Sequence, residues 1–160
     1  MLTIRPATVQ DVALLKRMIV EFATFEPLAE YVTVTEETLV RDGFGAAPRF
    51  RVLLPVWEGE VAGYAFFFAS YDSFRGPGMF LEDIYVRPEF RGQGIGKALM
   101  AGVAAIALRE GRRAMRWEVL DWNQPAIDLY KKLGATFRED WRQVRLEGEP
   151  LRRLAESALK

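Results

Sequence analysis

The sequence predicts a mixed α/β fold, α+β in character, with an antiparallel first half and a strand–loop–helix–strand unit in the second. Three observations carry this. Two runs rich in Val, Phe and Tyr, Arg51–Trp57 and Val61–Tyr71, are joined by Glu58-Gly59-Glu60 as a hairpin. A glycine-rich loop, 87–96, stands between a β-type run and a helical pattern. Apolar Val12, Leu15, Ile19 and Phe22 recur at helical spacing, which lays a helix on a core.

Taken in order, Leu2–Arg5 reads as a short strand ended by Pro6. Thr8 caps the first helix, with Asp11 as an acidic partner for its first-turn amides. A second helix starts near Thr33–Thr35 and ends at Asp42-Gly43. Pro55 argues against a central place for Arg51–Trp57, because proline donates nothing to a ladder. Gly76-Pro77-Gly78 reads as a loop into a third strand, Met79–Val86. The helix after the glycines runs to Arg109 or Glu110 and stops at Gly111. Met115–Leu120 reads as a strand, Pro125–Leu133 as a short helix closed by Gly134, Arg142–Leu146 as a last strand, and Pro150 opens a C-terminal helix. No repeat or linker interrupts the chain, so 1–160 is expected to form one domain.

Composition excludes whole classes of chemistry. With no Cys and no His, there are no disulfides, thiol nucleophiles, His-based triads or Cys/His zinc sites, and no metal is required. Acid–base work falls to Asp, Glu, Tyr, Lys, the termini or water. The 22 basic residues balance 22 acidic ones, which gives no electrostatic footprint for nucleic acid or an anionic membrane. The first residues lack the apolar core of a signal peptide, and the longest apolar run, Met100 to Leu108, is far short of a ~20-residue span. A soluble cytoplasmic protein is the expectation.

The informative segment is Val86-Arg87-Pro88-Glu89-Phe90-Arg91-Gly92-Gln93-Gly94-Ile95-Gly96-Lys97. Its glycines let backbone N–H groups approach a ligand, and unpaired first-turn amides of the following helix suit a phosphate. Arg91 and Lys97 add positive charge. A Walker A loop needs four residues between Gly and Gly-Lys and then a hydroxyl; here three residues intervene and Ala98 follows. The dinucleotide fingerprint fails on its last glycine spacing. Arg-x-x-Gly-x-Gly remains, beside the plainer reading of a helix-capping loop.

Further segments carry a resemblance: Ile4-Arg5-Pro6-Ala7-Thr8, Asp42-Gly43-Phe44-Gly45, Leu81-Glu82-Asp83, the glycine loop, and Trp122-Asn123-x-Pro125-Ala126-Ile127-x-x-Tyr130. Over nearly its whole length the chain resembles the GCN5-related N-acetyltransferase (GNAT) superfamily, and within it the spermidine/spermine branch. The resemblance implies a mixed, mostly antiparallel twisted central sheet flanked by helices, and acetyl-CoA as cosubstrate. It implies a small cationic amine (polyamine, diamine or thialysine-like) as partner, and a homodimer. By the same resemblance the backbone of Ile84, Tyr85 and Val86 would pair with the pantetheine. Arg91, Gly92, Gln93, Gly94, Ile95, Gly96 and Lys97 would hold the pyrophosphate, and Asn123, Gln124, Pro125 and Ala126 would line the cofactor. Tyr130 would be the general acid that protonates the CoA sulfur; read alone it is a core aromatic at helical spacing.

Glu82 would bind the cation and act as base, directly or through water; read alone, it is an edge charge or a salt-bridge partner, placed by alternation opposite Asp83. Phe25, Glu26, Arg116, Trp117 and Glu118 match further substrate-lining positions. Phe25 replaces the Tyr usual in polyamine enzymes, and Pro27-Leu28-Ala29 alters the adjoining loop, so the identity of the amine stays open. Other amino-group or protein acceptors, and a catalytically silent CoA-binding module, are the competing readings.

Overall fold

A computed structural model describes residues 1–158. They form two compact units, 1–120 and 121–158, and each is described by itself.

The first unit is built on a six-stranded sheet: β1 (Leu2–Pro6), β2 (Arg51–Trp57), β3 (Glu60–Val61), β4 (Gly63–Asp72), β5 (Gly76–Val86) and β6 (Met115–Arg116), in the order β1-β2-β4-β5-β6 with β3 beside β2. Every pairing is antiparallel except β5 with β6. Three helices accompany it: α1 (Val12–Phe25), α2 (Glu36–Phe44) and α3 (Ile95–Arg109). The approach to α1 is fastened as its sequence requires. Asp11 accepts from the Thr8 N–H at 2.7 Å and pairs with Arg5 at 2.7 Å, which holds its carboxyl well below the usual range. Thr35 caps α2 by accepting from the Thr38 N–H.

Strand alternation then decides the two faces. Val52, Leu54, Tyr64 and Tyr85 join Leu15 and Met18 of α1 and Leu39 of α2 in one buried cluster. Leu53, which points the other way, approaches Gly102 of α3, and Ile95, Leu99 and Val103 are buried along that helix. Each fully buried aliphatic side chain of this kind stabilises by about 1.5–3 kcal/mol.

Four expectations need correction. Pro55 lies in an interior strand after all. The ladder of β2 with β4 covers Arg51–Leu53 and that with β3 covers Val56–Trp57, so Pro55 falls at the break between them. Its carbonyl accepts from Ala62 at 2.9 Å, and the N–H it lacks would face that same break. Gly76-Pro77-Gly78 is not a loop but the start of β5, paired with Ser70–Asp72. The strand expected over Met115–Leu120 is only Met115–Arg116. Arg142–Leu146 forms no strand, and Val144 is 89% exposed.

The second unit carries α4 (Gln124–Lys132) and α5 (Gly148–Ser157). Asn123 caps α4, its Oδ1 accepting from the Ala126 N–H at 3.4 Å, and Pro125 occupies the first turn, where a missing N–H is harmless. Among the described residues no helix is long and apolar enough to cross a membrane.

Candidate active site

The site is built where β5 ends and α3 begins. Glu21 of α1 takes Arg87 in a two-pronged ion pair, both contacts 2.9 Å, which anchors the end of β5. After a 3-10 turn at Pro88–Phe90, Gly92 and Gly94 adopt φ of 79° and 76°, the left-handed region that glycine enters freely. A Cβ at either position would meet nothing within 4 Å, so the concave side of the loop is open. Ile95, 1% exposed, pins the helix start to the core. The first intrahelical acceptor of α3 is the Gly94 carbonyl, taken by Ala98, which leaves the amides of Ile95, Gly96 and Lys97 at the helix mouth. Gln93 and Lys97 are exposed beside them. This cradle fits a diphosphate.

Arg91 makes two contacts of its own beside the cradle. Its Nε donates to the Val86 carbonyl at 3.0 Å, and its guanidinium lies 4.8 Å over the Phe25 ring. Two residues assigned to separate sites, one for cofactor and one for acceptor, are therefore in contact. Further along β5, β6 pairs only with Met79–Phe80, so Leu81–Val86 has β4 as its sole strand partner among the described residues. The Ile84–Val86 edge is thus where an extended ligand could add as a strand.

The carboxylates sit on a β-bulge. Phe66 of β4 faces Asp83, and Phe67 faces Leu81, so Glu82 is the extra residue. The bulge interrupts the regular alternation of the ladder at this point. Glu82 is exposed and Asp83 half-buried. The Tyr64 hydroxyl donates to Asp83 Oδ2 at 3.2 Å. Burial pushes the Asp83 carboxyl up to about 7; the Glu82 charge adds to the rise, the Tyr64 hydrogen bond opposes it, and Glu26 adds a little more. Burial also raises Glu26, just beyond α1. Burial, followed by Asp83, holds Tyr64 well above its ordinary value. Glu26, Glu82, Asp83 and Tyr64 thus form one electrostatic cluster, with a proton acceptor tuned near neutrality.

Asp83 and Tyr64 are the residues that sequence reasoning missed as site members. The signal was the adjacent pair Glu82-Asp83, but period two cannot say which carboxylate is buried once a bulge intervenes. Arg116 is held by Asp72 at 3.3 Å at the far end of β4. Trp117 and Glu118 follow β6 in irregular chain. In the second unit, Asn123, Gln124, Pro125 and Ala126 form the cap and first turn of α4. Tyr130, 4% exposed, stands about two turns from the cap.

Comparison with known proteins adds an independent finding. The family model described as the acetyltransferase (GNAT) family matches residues 16–135. A thialysine N-epsilon-acetyltransferase of Bos taurus is 44% identical, covering 95% of this chain and 96% of its own length. An L-ornithine N5-acetyltransferase of Arabidopsis thaliana is 29% identical, covering 92% and 85%. Among solved structures, an integron cassette protein from the mobile metagenome of V. cholerae superposes with a TM-score of 0.79 at 23% identity, covering 97% and 98%, a likeness of fold.

Proposed function

The chain belongs to the acetyltransferase (GNAT) family, and on that premise we propose that it acetylates the terminal amine of a small cation: a polyamine, a diamine or an amino acid with an aminoalkyl side chain. It is an acetyl-CoA-dependent N-acetyltransferase; when bound, acetyl-CoA supplies the activated acetyl group as a thioester. The observation that carries the acceptor reading is the Glu26–Glu82–Asp83 cluster, a local negative field in a chain of zero net charge. Thialysine and ornithine, the acceptors named for two relatives, both end in a side-chain amine. The family match crosses from one compact unit into the other, which supports reading 1–160 as one catalytic domain.

In this reading Gly92–Lys97 hold the pyrophosphate, Ile84–Val86 pair with the pantetheine, and Asn123–Ala126 line the cofactor. An alkylamine has a pKa near 10.4, so on the order of one molecule in a thousand is neutral at pH 7. Glu82 and Glu26 hold the ammonium, and Asp83 takes its proton, directly or through one water. The Tyr130 hydroxyl gives a proton to the departing sulfur. Phe25, Arg116, Trp117 and Glu118 complete the acceptor lining.

A screen of amines against the acetyl-CoA-loaded protein, read by CoA release, tests the acceptor class. Cations with two or more amines are expected to outperform monoamines with neutral tails. If peptides with a free N-terminus turn over fastest and polyamines do not compete, the small-cation reading fails.

Two further outcomes are expected. Gly94→Asp places a negative charge at the helix mouth, which should weaken acetyl-CoA on the order of 10–100-fold in calorimetry. Gly94→Asn, which tolerates the left-handed backbone without the charge, should lose much less. Equal binding by Gly94→Asp and the parent would remove the cradle from the pyrophosphate. A cytoplasmic homodimer is the proposed state, on the resemblance to the dimeric branch; Tyr71 and Phe74, 75% and 95% exposed on the β4–β5 hairpin, offer apolar surface for it. Light scattering should give twice 18.2 kDa, and a constant 18.2 kDa across micromolar concentrations would refute it.

A further inference from the structure

A recess opens on the face of the sheet that carries Asp83. It holds about 370 Å³, with Phe50, Phe66 and Phe68 as aromatic walls, Leu39 of α2 as floor, and Asp42 and Arg49 among its lining. Phe50 stacks on Phe66 with ring centroids 4.2 Å apart. Phe66 is the register partner of Asp83, and directly opposed residues share a face with Cα atoms about 5 Å apart. The walls therefore continue the row Tyr64, Phe66, Phe68 away from the acid cluster. From the Asp83 level to Phe68 is two residues, about 7 Å along β4. An extended chain of four side-chain atoms between an amine and its α-carbon spans about 6 Å.

The polar groups of this recess differ in kind from the acid cluster. Asp42 is pulled below its ordinary value first by its Arg41 hydrogen bond and also by the Arg41 and Arg49 charges. Arg41 takes both Asp42 carboxylate oxygens, at 2.8 and 2.9 Å, but from an exposed side chain, and a surface pair of that kind is weak enough to be exchanged for a second cation. The Arg49 N–H donates to the Asp42 carbonyl at 2.7 Å, and its side chain makes no ion pair among the described residues. One end of the face gathers the Glu26, Glu82 and Asp83 carboxylates, and the other presents one acid and one guanidinium outside any ion pair among the described residues.

We propose that the recess seats the head of an amino-acid acceptor, with Arg49 binding its α-carboxylate and Asp42 its α-ammonium. The proposal rests on the reading that the Glu26–Glu82–Asp83 cluster receives the reacting amine. The aromatic walls take the methylenes, or a thioether, which packs well on ring edges. A simple diamine would bring a second cation to a mouth that already holds Arg49, whereas a zwitterionic head complements both groups. The recess thus selects amino acids with a terminal side-chain amine over diamines of equal length.

The test uses a matched pair: thialysine and bis(2-aminoethyl) sulfide, which is thialysine without its carboxyl group. The parent enzyme should favour thialysine in kcat/KM on the order of tenfold or more, the scale of one charge-assisted contact. Arg49→Gln should erase most of that preference by raising KM for thialysine, with kcat and the sulfide diamine little changed. Arg49 is exposed, and an unaltered Tm would show that the fold is kept. Thr38→Phe, which fills the recess from α2, should also penalise thialysine more than the diamine. A parent preference for the diamine, or an equal loss on both acceptors in the variants, would overturn the proposal while leaving the small-cation reading in place. If neither compound is acetylated although acetyl-CoA binds, both fall.

Discussion

Tyr130→Phe is expected to lower kcat by about 10²–10⁴-fold, the range for a lost general acid, while acetyl-CoA affinity stays the same. The substitution removes one oxygen and keeps a ring that is 4% exposed, so the packing of α4 should survive and Tm should move little. On the proposed role, what is lost is the proton for the departing thiolate. A single-turnover measurement separates this from slow product release. An unchanged kcat, with chemistry shown to limit the rate, would return Tyr130 to a packing role.

Asp83→Asn should lower kcat/KM by about 10²–10³-fold, because the amide keeps an acceptor for Tyr64 but cannot take a proton. The parent kcat/KM should rise with pH through an inflection near the Asp83 value of about 7, and the variant should lack that limb. Stability should move the other way. The folded state holds this proton more tightly than the unfolded chain does. The contribution is therefore full below the ordinary value of 3.8 and is lost as pH rises through about 7. That interval corresponds to about 4 kcal/mol at most. Asp83→Asn should thus melt higher than the parent at pH 8 and show a flatter dependence of Tm on pH. A parallel pH dependence in both proteins would mean that Asp83 titrates as an ordinary surface carboxylate.

Local signals were the legible ones. The glycine loop, the start of the second helix near Thr35 and the spacing of Val12, Leu15 and Phe22 depend on neighbours within a few residues, and the structure places them as read, whereas Thr8 opens a 3-10 turn and Asp11 stands at the N-cap of α1. Strands depend on partners. Arg142–Leu146 alternates well, yet no edge meets it among the described residues, and Val144 is left exposed. Pro55 was misjudged for the same reason, since only the meeting of β2 with both β3 and β4 reveals a gap for its nitrogen. The candidate site divides likewise. Its phosphate cradle was legible because glycine, helix start and charge are contiguous. The Asp83–Tyr64 pair was not, because it joins residues 19 apart across a bulge.

That bulge also bears on how the sheet tolerates insertions and deletions. In an unbroken ladder, losing one residue turns every following side chain to the opposite face. At Glu82 the arithmetic reverses: Leu81 already faces Phe67 and Asp83 already faces Phe66, so excising Glu82 would leave two adjacent pairs in perfect step. Tyr85 would stay in the α1 cluster and Leu81 in its buried place. The sheet can therefore shed an acidic residue in a single deletion without rearranging its core. The same event one residue later would remove Asp83 from its pairing with Phe66. A lineage could lose amine binding here and keep the fold, its descendants still folding around the phosphate cradle.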